Sequence, residues 1–240
     1  MREPHFTISG EIFERFPGYV RGVVVAHDLN NGASPEELVR LLREAEQAAR
    51  AELDLERLAL HPRIKSWRDA YRSFGAKPGE FRSSIEALAR RVLRGEPLPL
   101  INALVDIGSM VSLRHVVPAG GHAIDVLTGD IALRPAAGGE NFVALGSEQA
   151  ESPLAGEIIF AEGGTVLTRR WTWRQAKYTS TLPGTRAIEF NVDGLPPVPV
   201  EEIEQACREI AQLVTRFCGG RARHELLTRD HPAMSLAVKE

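Results

Sequence analysis

The stretch VSLRHVVPAGGHAIDVLTGDIALRP, residues 111–135, decides the fold class. It holds short β-favouring runs at 111–117, 124–127 and 131–133, cut by Pro118, Gly120, Gly121 and Gly129. The pattern continues downstream at 142–145, 157–160, 166–172 and 187–192, with Gly, Pro, Asn or Asp between runs. No clean alternation of strand and long helix appears in 106–192, which argues against a doubly wound parallel sheet. The expected class is α+β, with a mixed or mainly antiparallel sheet and flanking helices.

Upstream, residues 20–26 read as a strand ending in the turn Asp28-Leu29-Asn30-Asn31-Gly32. Ser34, Pro35 and Glu37 then have the form of a capping box, and Leu38, Leu41, Leu42, Ala45, Ala49 and Leu53 recur at helical spacing. Pro62 ends or kinks that helix. Ile64, Trp67, Tyr71 and Phe74 stripe a second one, stopped by Gly75; the stripe is either core packing or, at Trp67, a pocket wall. Ser83 and Glu86 predict another capping box, ahead of Ile85, Leu88, Ala89 and Val92 with Gly95 as terminator. Pro97-Leu98-Pro99 breaks the chain before a short helix or coil at 101–105. Far downstream, Val200, Ile203, Cys207, Ile210, Leu213, Val214 and Phe217 form a stripe that covers one face of the sheet and stops at Gly219-Gly220.

A chain of 240 residues buries roughly 70–75% of its unfolded surface, enough for a core without metals or disulfides. The expected organisation is one domain over 1–240, with the motif-bearing part at about 60–192, a packing helix at about 199–218 and no internal repeat. The formal charge of −3 argues against DNA or RNA binding through a broad basic field, while leaving local phosphate contacts open at Arg90-Arg91, Arg169-Arg170 or Arg221-Ala222-Arg223. Only Cys207 and Cys218 are present, which fits a reducing compartment, and eleven helical residues hold them about 16 Å apart. No segment approaches the roughly 20 apolar residues of a membrane span, and the start MREPHFTIS is not a secretion signal, so a cytoplasmic protein with no membrane partner is expected.

The histidines lack metal-site spacing and no phosphate loop is present, so no metal and no cofactor are expected. Chemistry concentrates instead at Pro118-Ala119-Gly120-Gly121-His122-Ala123-Ile124-Asp125. Gly120 and Gly121 let a ligand approach the backbone, His122 brings an imidazole, the side-chain type suited to proton exchange, and Asp125 is placed to orient its ring; a plain steric turn has the same glycines. Asp106 and Glu189 each interrupt an apolar segment and face either solvent or a pocket, where Glu189 suits the ammonium of an amino acid. Ser109, Thr179, Ser180, Thr181 and Thr185 offer neutral hydrogen bonds without an adjacent base, which disfavours covalent catalysis.

Taken in order, residues 104–109 (LVDIGS), 118–125, 129–134 (GDIALR) and 139–146 resemble the B3/B4 domain of the bacterial phenylalanyl-tRNA synthetase beta subunit. Residues 67–75, Arg82-Ser83-Ser84 and 171–175 (WTWRQ) look like the free-standing B3/B4 proteins. In the synthetase this domain is the editing module that removes tyrosine wrongly attached to phenylalanine tRNA. The resemblance covers roughly residues 60–192 and implies an α+β fold with a pocket for an aminoacyl group. It implies that His122 and Asp125 match the family's histidine and aspartate, Asp106 the aspartate of an earlier segment, and Glu189 the pocket glutamate. Ser109 departs from the family's Asn, and without a catalytic subunit aminoacylation is expected to be absent.

Two functions follow as expectations: editing-like hydrolysis of aminoacyl-tRNA or tRNA binding, and alternatively a non-catalytic module for a free amino acid or aminoacyl compound. The candidate catalytic residues are His122 and Glu189. The candidate substrate-binding residues are Asp106, Ser109, Gly120, Gly121, Asp125, Trp173, Arg174 and Thr185.

Overall fold

The computed structural model describes residues 4–237. The first half of the chain forms β1 (His5–Ile8), α1 (Gly10–Arg15), β2 (Val20–His27), α2 (Glu36–Glu52), α3 (Pro62–Ser73), α4 (Ser84–Leu93) and α5 (Ala103–His115). The second half forms β3 (Ala119–Ala123), β4 (Ile131–Pro135), β5 (Phe142–Val143), β6 (Ala150–Glu151), β7 (Ile158–Glu162), β8 (Thr165–Arg169), β9 (Arg174–Gln175) and β10 (Ile188–Gly194). It ends in α6 (Val200–Cys218), β11 (Arg221–Leu227) and β12 (Ala233–Ser235).

The periodic stripes of α2, α3, α4 and α6 are where the sequence puts them, and Pro62 opens α3 at its first turn instead of closing α2. Residues 111–117 are not a strand. They belong mostly to α5, which starts at the cap Asn102, whose side chain accepts the Val105 amide at 3.1 Å, and ends at Val116 in the left-handed region. This helix is enclosed by α2, α4, α6 and β3, so Leu104, Ile107, Met110 and Val111 are buried on several faces. A helix without a solvent face has no amphipathic stripe, and its valines read as strand.

Both expected capping boxes are absent. Pro35, not Ser34, caps α2, and the Ser34 hydroxyl donates to Asp106 Oδ2 at 2.5 Å. Ser83 caps α4 without a side-chain bond, while Glu86 accepts from Arg68 at 2.8 Å and Arg90 at 2.9 Å.

The strands form two principal sheets. One has the order β12-β1-β4-β7-β8-β9 and is antiparallel except where β1 runs parallel to β4; the other, β11-β2-β10-β3, is antiparallel throughout. β5 and β6 make a separate ribbon. The architecture is therefore α+β with mostly antiparallel sheets and flanking helices. The Pro118–Gly121 segment, whose glycines also fit a steric turn, leads into and supplies the start of β3, and β1, β11 and β12 carry no strong alternation in the sequence.

The two faces of the four-stranded sheet have opposite characters. On one, α6 lies so close that a Cβ on Gly22 would come within 2.2 Å of Cys207 Sγ, and one on Gly194 within 2.6 Å of Ile203 Cγ1. Phe190 meets Gly108 of α5 on this side. Because side chains alternate along a strand, Glu189, Asn191 and Asp193 of β10 point the other way, together with their neighbours Arg21 and His122. That face meets the six-stranded sheet, where His122 packs on Phe160 at 4.9 Å and Arg21 lies between Phe6 and Phe160. The polar side chains are thus held between two sheets.

Candidate functional site

His122 and Glu189 are directly opposed across β3 and β10, a register that brings the two side chains together on one face. Glu189 Oε1 lies 2.6 Å from His122 Nδ1, and Thr168 Oγ1 of β8 lies 2.7 Å from Nε2. The imidazole is only 4% exposed, so the three groups tie the sheets together through its ring. With a carboxylate at Nδ1, that nitrogen carries the proton in the neutral ring, and Nε2 accepts from the threonine hydroxyl. Asn191 Nδ2 adds a bond to Glu189 Oε1 at 3.2 Å. The second carboxylate oxygen of Glu189 is buried and has no hydrogen-bond partner among the described residues.

The row continues with Asp193, whose Oδ1 lies 3.1 Å from Arg21 Nε and accepts the Tyr19 hydroxyl. Tyr19 in turn accepts the indole N–H of Trp171 at 3.4 Å. Burial raises the Asp193 carboxyl above its ordinary range against the pull of Arg21 and the Tyr19 hydrogen bond. Burial, reinforced by the Asp193 charge, also raises the Tyr19 phenol well above its usual value. Tyr19 therefore acts as a hydrogen-bond donor.

A cavity of about 180 Å³ opens beside this row. Gly120, Gly121, His122 and Asn191 line one side, and Thr168, Trp171, Trp173 and Gln175 stand among the residues facing them. Its glycines have different reasons. A Cβ on Gly121 would lie 2.7 Å from Ile188 Cδ1 and 3.1 Å from the Glu189 carbonyl, whereas one on Gly120 would meet open space. Gly120 shares its face with His122 and pairs with Asn191, so that open space is the cavity side.

The opposite wall is conformationally strained, because Arg170 and Trp171 are consecutive non-glycine residues with φ of 49° and 64°. Trp171 is held there by edge contacts to Phe16, Tyr19 and Trp67 at 4.7–5.0 Å. Trp67 itself is 1% exposed and belongs to the core beneath this wall.

The expected site residues therefore separate. His122, Gly120, Gly121, Trp173 and Arg174 line the cavity. Glu189 is fully buried behind the imidazole and, contrary to expectation, does not line the cavity in position to take an ammonium group. Asp106 is also elsewhere: its carboxylate accepts from Ser34 and from the Ile101 amide at 3.1 Å, at the start of α5. Asp125 accepts the Arg186 amide at 3.0 Å and leaves orientation of the His122 ring to Glu189 and Thr168. Thr185 accepts the Leu182 amide in a local turn, and Ser109 sits on α5; neither lines the cavity.

Thr168, Trp171, Gln175 and Asn191 complete the cavity, and Arg21, Asp193 and Tyr19 complete the row. The alternation Glu189-Phe190-Asn191-Val192-Asp193 was the available signal for two of them. Among the described residues no group of three or more His, Cys, Asp or Glu side chains is placed to hold a metal ion, and no helix is long and apolar enough to cross a membrane.

Comparison with curated proteins gives no match. Among solved structures, an N-terminal fragment of the phenylalanyl-tRNA synthetase beta subunit from Pyrococcus horikoshii is similar over 91% of this chain, with 13% identity and a TM-score of 0.46. The chain spans 50% of that fragment's length. The sequence model of the B3/4 domain matches residues 66–219, from within α3 through α6. That match takes in α4, α5, both strands of the His122–Glu189 pair and the cavity walls, and with more than half its length covered the chain belongs to the B3/4 domain family.

Proposed function

We propose that the cavity beside His122 receives the amino-acid end of an aminoacyl compound, an aminoacyl-tRNA being the expected cargo. The observation that carries this reading is the imidazole fixed from behind by Glu189 and Thr168 at the wall of a 180 Å³ space. That volume is below the range typical of sites for drug-sized ligands and suits one amino-acid side chain. Aromatic Trp171 and Trp173 supply apolar surface, while Asn191, Gln175 and the β3 backbone supply hydrogen bonds. Membership of the B3/4 family is in keeping with such a ligand.

Binding is favoured over turnover as the primary activity because both nitrogens of His122 are occupied by protein groups. A general base must reach the proton it abstracts, and here that requires the Thr168 bond to be given up. Hydrolysis of the aminoacyl ester stands as the second reading. It is supported by β3 being an edge strand with Gly120 exposed, so that backbone amides on its free side can stabilise a developing oxyanion.

Calorimetric titration with the standard amino acids, alongside deacylation assays on charged and mischarged tRNAs, tests both readings. Gly120→Leu projects a side chain into the cavity from a position with no backbone strain. Saturable binding abolished by that change, with the melting temperature retained, is expected. Amino acids and aminoacyl esters that all fail to bind, or that bind equally to Gly120→Leu, remove the cavity as the site. Ester hydrolysis above buffer that is lost in Gly120→Leu promotes the second reading to the first.

A further inference from the structure

Three arginine pairs in the sequence were open as phosphate contacts, and the fold treats them differently. Arg169 is buried and saturated by Glu157, at 2.9 and 3.0 Å, and by Glu151 at 2.8 Å. Arg221 pairs with Asp28, and Arg223 with Glu225 and the carbonyls of Ser235 and Ala237. Arg90 and Arg91, by contrast, lie on α4, with Arg82 just before the helix and Arg94 at its C-cap, and these four guanidinium groups line a second concavity of about 300 Å³. Trp173 is a wall of both this concavity and the cavity beside His122.

The charge there is not locally neutralised. Glu80 and Glu96 are the acidic groups of the lining, and Glu80 also pairs with Lys77 at 3.4 Å while Glu96 lies 3.7 Å from Arg91. The buried Glu86 carboxylate is shared by Arg68, Arg90 and, at 4.0 Å, Arg82. Arg94 is exposed and has no ion-pair partner among the described residues, and Arg82 Nε is buried without a hydrogen bond. On a chain of net charge −3, an unbalanced arginine cluster beside an aromatic wall is a focused anion site.

Resting on the aminoacyl reading of the neighbouring cavity, we infer that the Arg82–Arg90–Arg91–Arg94 concavity binds a phosphate group of the nucleotide to which the acyl group is attached. Guanidinium forks match phosphate oxygens in pairs, which distinguishes this lining from a lysine-rich surface. Trp173, already stacked with Arg170 at 4.5 Å, adds an aromatic wall suited to a base or ribose. Shared use of Trp173 makes the two spaces adjoining compartments for one ligand, its acyl end in one and its phosphate in the other. An RNA end and a mononucleotide present the same chemistry.

The test is competition against a fluorescein-labelled CCA trinucleotide, followed by anisotropy, with the unlabelled trinucleotide, AMP, inorganic phosphate and a polyglutamate peptide as competitors. Arg94→Glu breaks no side-chain hydrogen bond or ion pair among the described residues, and Arg91→Ala/Arg94→Ala serves as the second variant. Expected are a weakening of about tenfold or more in both, a shallower salt dependence by roughly one per lost phosphate contact, and unchanged amino-acid binding. Loss of RNA binding with poor competition by AMP assigns a polynucleotide; equal loss for both assigns the nucleotide phosphate in common. The inference is overturned if the trinucleotide fails to bind the wild type, if the variants bind it as well as wild type does, or if phosphate or polyglutamate competes as well as the unlabelled trinucleotide. Should amino acids fail to bind while Arg94→Glu still loses RNA, the cavity reading falls and the phosphate site stands.

Discussion

His122 and Glu189 are separated by 2.6 Å and by sixty-seven residues of sequence, facing each other from paired strands with Thr168 closing the ring from the second sheet. The imidazole is therefore a bridge between sheets as well as a cavity wall, and these two roles respond differently to mutation. Thr168→Val keeps the shape but removes the donor to Nε2, leaving a buried ring nitrogen unpaired at a cost of about 1–3 kcal/mol in urea unfolding. Thr168→Ser retains the hydroxyl and is expected to recover most of the loss. In the wild type, nitrogen-15 NMR is expected to show the proton of the neutral ring on Nδ1. A proton on Nε2 instead would contradict the assigned roles of Glu189 and Thr168.

Arg21 and Asp193 test how far the same polar layer depends on charge balance. Arg21 is 1% exposed and lies over Phe6 and Phe160, with ring centroids 5.0 and 4.8 Å away. Asp193→Ala removes its ion-pair partner, and a buried guanidinium without its counter-charge costs about 3–5 kcal/mol. The double change Arg21→Met/Asp193→Leu removes both charges together. It is expected to be markedly more stable than Asp193→Ala alone, and a double mutant as unstable as the single one would count against charge burial as the cause.

Acid stability reports on a different place, the turn between β4 and β5. Glu140 accepts from Arg134 at 2.7 Å and from the amides of Ala137 and Gly138 at 2.8 and 2.9 Å. Burial alone would raise its carboxyl, but the Arg134 and amide bonds outweigh it and hold the value down to about 2, below the usual 4.5. A depressed carboxyl stabilises the fold above its unfolded value and loses that contribution as pH falls through the folded one. Glu140→Gln is thus expected to cost about 1–2 kcal/mol near neutrality and to flatten the stability profile between pH 4.5 and 2. Parallel profiles for the two proteins over that window would refute the assignment.

Much of the helical layer was legible because α2, α3, α4 and α6 each present one face to water, and a solvent face is what produces a periodic stripe. α5 lacked that signal, since its neighbours enclose it, and its valines imitated a strand. β3 was hidden for another reason. Gly121 looks like turn chemistry, but it is required by the close approach of Ile188 and the Glu189 carbonyl. Of the candidate site, His122 and its glycines stood out locally, and Asn191 and Asp193 were present as alternation on β10. Thr168 and Tyr19 reach the site from distant strands and turns through pairing that leaves no mark in their own sequence neighbourhood.

Packing on the far face of the same sheet gives the last prediction. Gly22 faces Cys207, and a methyl group there would lie 2.2 Å from its sulfur and 3.0 Å from Ile203 Cγ2. Gly22→Ala therefore overpacks the contact between β2 and α6, at a cost of about 1–3 kcal/mol. Cys207→Ala on its own leaves a void, yet in the double mutant the lost sulfur makes room for the added methyl. The double mutant is expected to be more stable than the sum of the two single effects, by a coupling of about 0.5–3 kcal/mol. Burial pushes the Cys207 thiol up to about 12, so the same contact also shields it from alkylation at pH 8 until the helix is displaced. Additive single effects, together with rapid alkylation of native Cys207, would show that α6 does not seat on Gly22 in solution.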